Sequence, residues 1–227
     1  GRGEVKIDHA QFNETRFQEL TRLVLRRTQC TMTTVAMVKY MLRVIDFPDA
    51  QSALFLSQDE QGDYLSYHVF HGLRSIMGSR CVDVKKITPM YRMPDDSDPG
   101  EVLSTRARLY GFGFGYAHTL DDDPNIDRNE DNIISRLQNR EFDIVVYGSI
   151  HRSVRGWNRR MSHHPFSLTT PPHLWEVVSY HYPKDRILVL DGEDEHFCSM
   201  VPMYADNATY FMREMVDGPP EAFPVER

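Results

Sequence analysis

The chain has 227 residues, 41% of them hydrophobic, enough to bury the core of one large domain or of one domain with a helical extension. Its 33 acidic residues outnumber 26 basic ones for a formal charge of -7, which argues against a general affinity for nucleic acid. Cys30, Cys81 and Cys198 form no CxxC pair or disulfide framework, no apolar run approaches the roughly 18–20 residues that span a bilayer, and no signal-peptide pattern is present, so a cytoplasmic setting with no membrane span is expected. The opening Gly1, Arg2 and Gly3, without Met, read as the start of a piece of a longer protein.

In chain order, Phe17, Leu20, Val24 and Leu25 form a helical stripe over 13–27, with Asn13 placed to cap it. A second helix is expected over 33–44, stopping before Phe47 and Pro48, and residues 1–50 read as a helical extension packed on the main domain. Strand and helix then alternate through 51–216. Strands are expected at 53–57, 80–87, 142–148, 186–191 and 208–212, and helices at 64–77, 126–139, 171–181 and 197–204. The segment Tyr110-Gly-Phe-Gly-Phe-Gly-Tyr116 alternates glycine with aromatics at a period of two, which suits a strand or an extended loop. Residues 217–227, with three prolines, read as a tail or linker. The alternation predicts an α/β, Rossmann-like, mostly parallel sheet flanked by helices.

The most informative strand is Ile144-Val-Val-Tyr147, continuous rather than alternating, as expected of a central strand covered on both faces. In such sheets ligands bind outside the carboxyl ends of the strands. Three loops should meet there, at 58–63, 148–155 and 191–196. They offer Asp59, Asp63, Ser149, His151, Arg152, Arg155, Asp191, Glu193 and Asp194. A carboxylate or imidazole can take a proton from an attacking hydroxyl, and an Arg fork can hold a diphosphate.

Bland readings stand beside each. Acidic residues after a strand often cap the next helix, and the cluster Arg152, Arg155, Arg159 and Arg160 is more often a solvated face. Gly111, Gly113 and Gly115 have GxGxG spacing, not a dinucleotide fingerprint, although Tyr110 and Phe112 suit the faces of a sugar ring. His68 and His71 lack a clear third metal ligand. Asp121, Asp122 and Asp123 resemble a divalent-ion triplet but precede Pro124 as a turn would.

The ordered set Phe142-Asp-Ile-Val-Val-Tyr-Gly-Ser-Ile-His-Arg152, Ile187-Leu-Val-Leu-Asp-Gly-Glu-Asp194, Tyr210-Phe-Met-Arg-Glu214 and Phe223-Pro-Val-Glu226 resembles the amino-terminal Rossmann half of GT-B-type glycosyltransferases. Within these it is most similar to CgeB-like and related surface-glycan proteins, some of them multidomain enzymes of large algal viruses. The likeness covers about residues 53–226, and its motifs are more specific as an ordered set than singly. It implies transfer of a sugar, a deoxyhexose such as rhamnose among the candidates, from a nucleotide-sugar donor to a glycan hydroxyl. Other transferase domains of the same polypeptide would be partners, because such enzymes use a second Rossmann domain that this chain is too short to include.

The expectation is therefore an enzyme in which Asp59, His151 or Asp191 takes the acceptor proton. Ser149, Arg152 and Arg155 hold the donor phosphates, and Asp63, Tyr110, Phe112, Glu193 and Asp194 line the sugar or acceptor pocket. Manganese or magnesium is compatible with the acidic loops, but no ordered ligand motif requires either. The alternative is a non-catalytic Rossmann-like module that binds a nucleotide, a glycan or a neighbouring domain. A metal-dependent phosphatase or nuclease comes third.

Overall fold

The structure, a computed structural model, describes residues 11–57, 63–150, 172–192 and 206–212. Five strands form one parallel sheet: β1 (Ala53–Leu56), β2 (Cys81–Asp83), β3 (Ile144–Tyr147), β4 (Ile187–Asp191) and β5 (Thr209–Met212). Their order is β2-β1-β3-β4-β5, so the winding reverses between β1 and β3. Among the described residues the helices are α1 (Glu14–Thr31) and α2 (Thr34–Val44) before the sheet, and α3 (Tyr64–Met77), α4 (Pro99–Ala107), α5 (Glu130–Gln138) and α6 (Trp175–His181) between its strands. This is the expected Rossmann-like α/β architecture.

Strand parity explains why the runs are continuously apolar. Ala53, Phe55, Ile144, Val146, Leu188 and Leu190 belong to one core, with Val38, Met41 and Leu42 of α2 and Val69, Phe70 and Leu73 of α3. The alternate residues Leu54, Leu56, Val145, Tyr147, Ile187 and Val189 belong to a second core, with Ile133 and Leu137 of α5 and Trp175 and Val178 of α6. A strand buried on both faces has no polar side to show.

Within the helical extension, α2 packs tightly on α3. A Cβ on Gly72 would lie 2.3 Å from the carbonyl oxygen of Thr34, so the close approach of the two helices depends on glycine there. Asn13 caps α1 as expected, through a 2.9 Å bond from the Arg16 N–H to its side chain. Yet α1 has no buried residue, and its stripe, including Phe17, Leu20 and Val24, is exposed.

Two further expectations are corrected, and one helix appears where none was expected. β2 occupies only Cys81–Asp83, because the chain turns away once Asp83 begins to bind the following loop. Residues from Pro99 form α4, capped by Asp98, a helix that shows no apolar stripe because none of its residues is buried. Tyr110–Gly113 is a short 3-10 turn rather than a strand, since Gly111, Phe112 and Gly113 all take positive φ. The helix expected at 197–204 and the tail at 217–227 lie outside the described residues.

Candidate functional site

The first turn of α3 is driven into the carboxyl ends of β3 and β4. Asp63 caps the helix by accepting hydrogen bonds from the N–H groups of Leu65 (2.9 Å) and Ser66 (3.3 Å). Two glycines make room for it. A Cβ on Gly148, just past β3, would lie 2.3 Å from Ser66 Oγ and 2.8 Å from the Phe55 ring; a Cβ on Gly192, just past β4, would lie 2.5 Å from Asp63 Oδ2. Substitution at either position makes Ser66 and the Phe55 ring, or the Asp63 carboxylate, give way.

Ser149 donates a 2.7 Å hydrogen bond to Asp63 Oδ2, linking the loop after β3 to the helix cap. It does so from a left-handed backbone, φ +51°, that a non-glycine residue holds only at some energetic cost. Asp191, the last residue of β4, accepts a hydrogen bond from Tyr210 of β5. Asp63, Ser149 and Asp191 are all nearly or wholly buried. They converge beside the β1/β3 reversal, where a doubly wound sheet opens a crevice.

Polar groups left without partners mark the same place. Among the described residues, four buried side-chain atoms lack a hydrogen-bond partner: Ser57 Oγ, Ser66 Oγ, Tyr116 OH and Arg186 Nη1. The first three surround the first turn of α3. Ser57 follows β1, Ser66 lies on the turn, and the Tyr116 ring packs 6.5 Å from that of Tyr67 and 4.8 Å from that of His68. Burial, with the phenol of Tyr67 and the carboxylate of Asp63 nearby, pushes the Tyr116 hydroxyl well above its ordinary pKa, so it remains a donor. Buried polar groups are nearly always paired, and three orphans around one turn are an exception to that rule.

Aromatic rings border this region. Tyr110 packs on Tyr64 at 5.5 Å and on Phe114 at 6.1 Å between ring centres. Tyr110, Phe112 and Phe114 are exposed, and Phe112 and Phe114 both carry positive φ. The glycine–aromatic segment thus presents rings to solvent beside the amino terminus of α3, though by a tight turn and not by the extended backbone its alternation predicted.

The metal candidates disperse. Asp121 pairs with Arg92 (3.0 Å), Asp122 with Lys86 (2.6 Å), and Asp123 accepts a 2.9 Å bond from the Asn125 N–H. His71 has both ring nitrogens engaged, Nδ1 with Thr34 Oγ1 (2.8 Å) and Nε2 with Thr119 Oγ1 (3.1 Å). Burial lowers the pKa of both His68 and His71, holding them neutral. Among the described residues no group of three His, Cys, Asp or Glu side chains is arranged to hold a metal ion. Cys81 is fully buried, and burial raises its thiol far above the range in which it would be a nucleophile.

Of the residues singled out from the sequence, Asp63, Ser149 and Asp191 come together, with Tyr110 on the adjoining aromatic border. Asp59, His151, Arg152, Arg155, Glu193 and Asp194 lie outside the described residues. Ser57, Ser66, Tyr116 and Tyr210 were not anticipated; the only local signal was that Ser57 directly follows a buried strand. No protein-family model matches the chain, and no curated protein and no solved structure is similar enough to count as a match.

Proposed function

We propose that this chain is a glycosyltransferase domain that moves a sugar from a nucleotide-sugar donor to a hydroxyl of a glycan acceptor. The observation that supports it most is the set of buried hydroxyls without partners around the first turn of α3, beside the β1/β3 reversal. The orphan hydroxyls suit the many oxygens of a sugar. The ordered motifs ending in Arg152 and Asp194 add the likeness to GT-B-type enzymes.

In this reading Asp191, held by Tyr210, takes the proton from the acceptor hydroxyl. Asp63 and Ser149 are positioning residues, locking the helix cap to the β3 loop. Asp59 or His151 would share the proton transfer, and Arg152 with Arg155 would offset charge on the leaving diphosphate. A panel of UDP-, GDP- and dTDP-sugars, with and without manganese, would be followed for binding and for sugar release. Binding with slow donor hydrolysis that Asp191→Asn abolishes is the expected result; silence across the panel would end the transfer reading.

One observation favours the second reading, a non-catalytic binding module. Asp63, Ser149 and Asp191 are each buried and already hydrogen-bonded, a state suited to shaping a pocket. Binding with no turnover of any donor would select it.

A further inference from the structure

The two helices ahead of the sheet carry a surface unlike the rest of the chain. From Leu20 to Ile45 there is no acidic residue, although the chain holds 33 of them, and there are five cations: Arg22, Arg26, Arg27, Lys39 and Arg43. All five are exposed, and none forms an ion pair among the described residues. The same helices expose apolar groups. Among the described residues, nine of the fourteen exposed large hydrophobic side chains fall between Phe12 and Val44. We propose that this helical extension is a docking face for an anionic lipid surface, on which α1 lies flat.

The geometry of α1 suits a surface better than a seam. At about 100° per residue, Phe17, Leu20, Leu23, Val24 and Leu25 spread over roughly 200° of its circumference. Packing against a single neighbour uses a stripe on the order of 100° wide, which would leave Leu23 or Leu25 in water. Arg22 and Arg26 stand on the remaining face. Arg27 falls between Leu20 and Leu23, where its stem can lie along apolar surface while the guanidinium stays at headgroup depth. An apolar face opposed by an arginine-rich one is the pattern of a helix lying in the lipid interface. The helix also lacks what normally stabilises it: it is 18 residues long and buries none of them, whereas most helices depend on packing an apolar face. On α2, the exposed Lys39, Tyr40, Arg43 and Val44 continue the mixture, while Val38, Met41 and Leu42 face the core.

Charge decides the occupant. A second copy seated on this face would bring its own five cations against these. A nucleic-acid backbone would match the cations and leave the aliphatic side chains in water. An anionic bilayer satisfies both, its headgroups attracting the cations and its acyl boundary taking the apolar arc. No described helix is long and apolar enough to cross a membrane, and this contact needs none. The inference is independent of the transfer reading, because α1 contributes no residue to the candidate site.

The test is vesicle flotation of the full chain with phosphatidylcholine vesicles and with equimolar phosphatidylcholine–phosphatidylserine vesicles. Flotation is expected with the anionic vesicles and little with the neutral ones. It should fade as salt shortens the Debye length from about 8 Å towards about 3 Å. The triple variant Arg22→Gln, Arg26→Gln, Arg27→Gln should weaken partitioning on the order of tenfold to a hundredfold. Leu20→Ser with Val24→Ser should weaken it on the order of tenfold or more, because two of the buried apolar groups are lost. Both variants change only exposed side chains, so the melting temperature should hold. Leu103→Ser, at a residue of α4 as exposed as Val24, should leave flotation unchanged. Amide exchange across residues 14–31 should slow on the anionic vesicles. Equal flotation with both vesicle types, flotation with neither, or undiminished flotation of either α1 variant overturns the proposal. So does a vesicle-free dimer, seen by sedimentation equilibrium, that Leu20→Ser with Val24→Ser dissociates, since the face would then belong to a second copy.

Discussion

The carboxyl ends of β2 and β1 are neighbours in the sheet, yet they treat buried polar groups in opposite ways. At the end of β2, Asp83 is fully buried and fully engaged. It accepts from the Ile87 N–H, from Tyr91 OH and from Arg128, whose Nη2 lies 2.7 Å away. Arg128 also donates to the Asp83 carbonyl oxygen (3.0 Å). Burial and the Asp83 charge push the Tyr91 hydroxyl far above its usual pKa, so it stays a donor in this network. At the end of β1 and around the first turn of α3, Ser57, Ser66 and Tyr116 are buried with hydroxyls that nothing satisfies. A closed network fixes a loop; an open one costs stability until a ligand completes it. Stability should therefore depend on the first region and binding on the second.

The largest expected effect breaks the closed side. Asp83→Ala strands the Arg128 guanidinium and frees the 83–91 loop, and should cost about 3–5 kcal/mol in urea denaturation. A cost near zero would mean the network is not what fixes the loop. Next is Gly148→Ala, where the new methyl must displace Ser66 or the Phe55 ring, for a loss of about 1–3 kcal/mol measured the same way. Ser149→Ala removes one of the three hydrogen bonds described to the Asp63 carboxylate and should cost about 1 kcal/mol. The open side gives the smallest effect and the opposite sign. Ser66→Ala deletes a hydroxyl that has no partner, so thermal unfolding should show no loss and a gain of up to about 1 kcal/mol.

A pH series probes the half-buried histidines independently. Burial, reinforced by His68, depresses the His71 pKa below its ordinary 6.5 in the folded chain. The unfolded state then binds more protons in the window below 6.5. Stability is present in full above that value and is lost as pH falls through the depressed folded-state pKa. Melting temperature should decline from pH 7 towards pH 5, and His71→Asn should flatten the decline; an unchanged slope would assign the acid sensitivity elsewhere.

The sheet was legible because burial on both faces leaves a direct imprint. Ile144–Tyr147 and the first four residues of Ile187–Asp191 are continuous apolar runs, and the structure buries every residue of both strands. β2 was overextended because its sequence does not reveal that Asp83 turns back to bind the following loop. α4 escaped because a helix lying on the surface has no apolar stripe to read. The 110–116 segment misled because period-two alternation of glycine and aromatics is shared by strands and by turns whose glycines take positive φ.

The site was only partly legible for a different reason. Carboxylates after strands can be read from a sequence, and Asp63, Ser149 and Asp191 do meet. That Asp63 is a helix cap bound to Ser149, and that Ser57, Ser66 and Tyr116 lack partners, are facts of three-dimensional placement with no signature in residue order.

Amide hydrogen exchange of the full chain, with and without saturating nucleotide sugar, tests most directly whether the open edge is where ligands bind. The account predicts slower exchange in the first turn of α3 and just past β1, β3 and β4, with no change at the opposite edge around Gln51, Ser52 and Asp143. Protection confined to that opposite edge, or to the exposed face of α1, would contradict it.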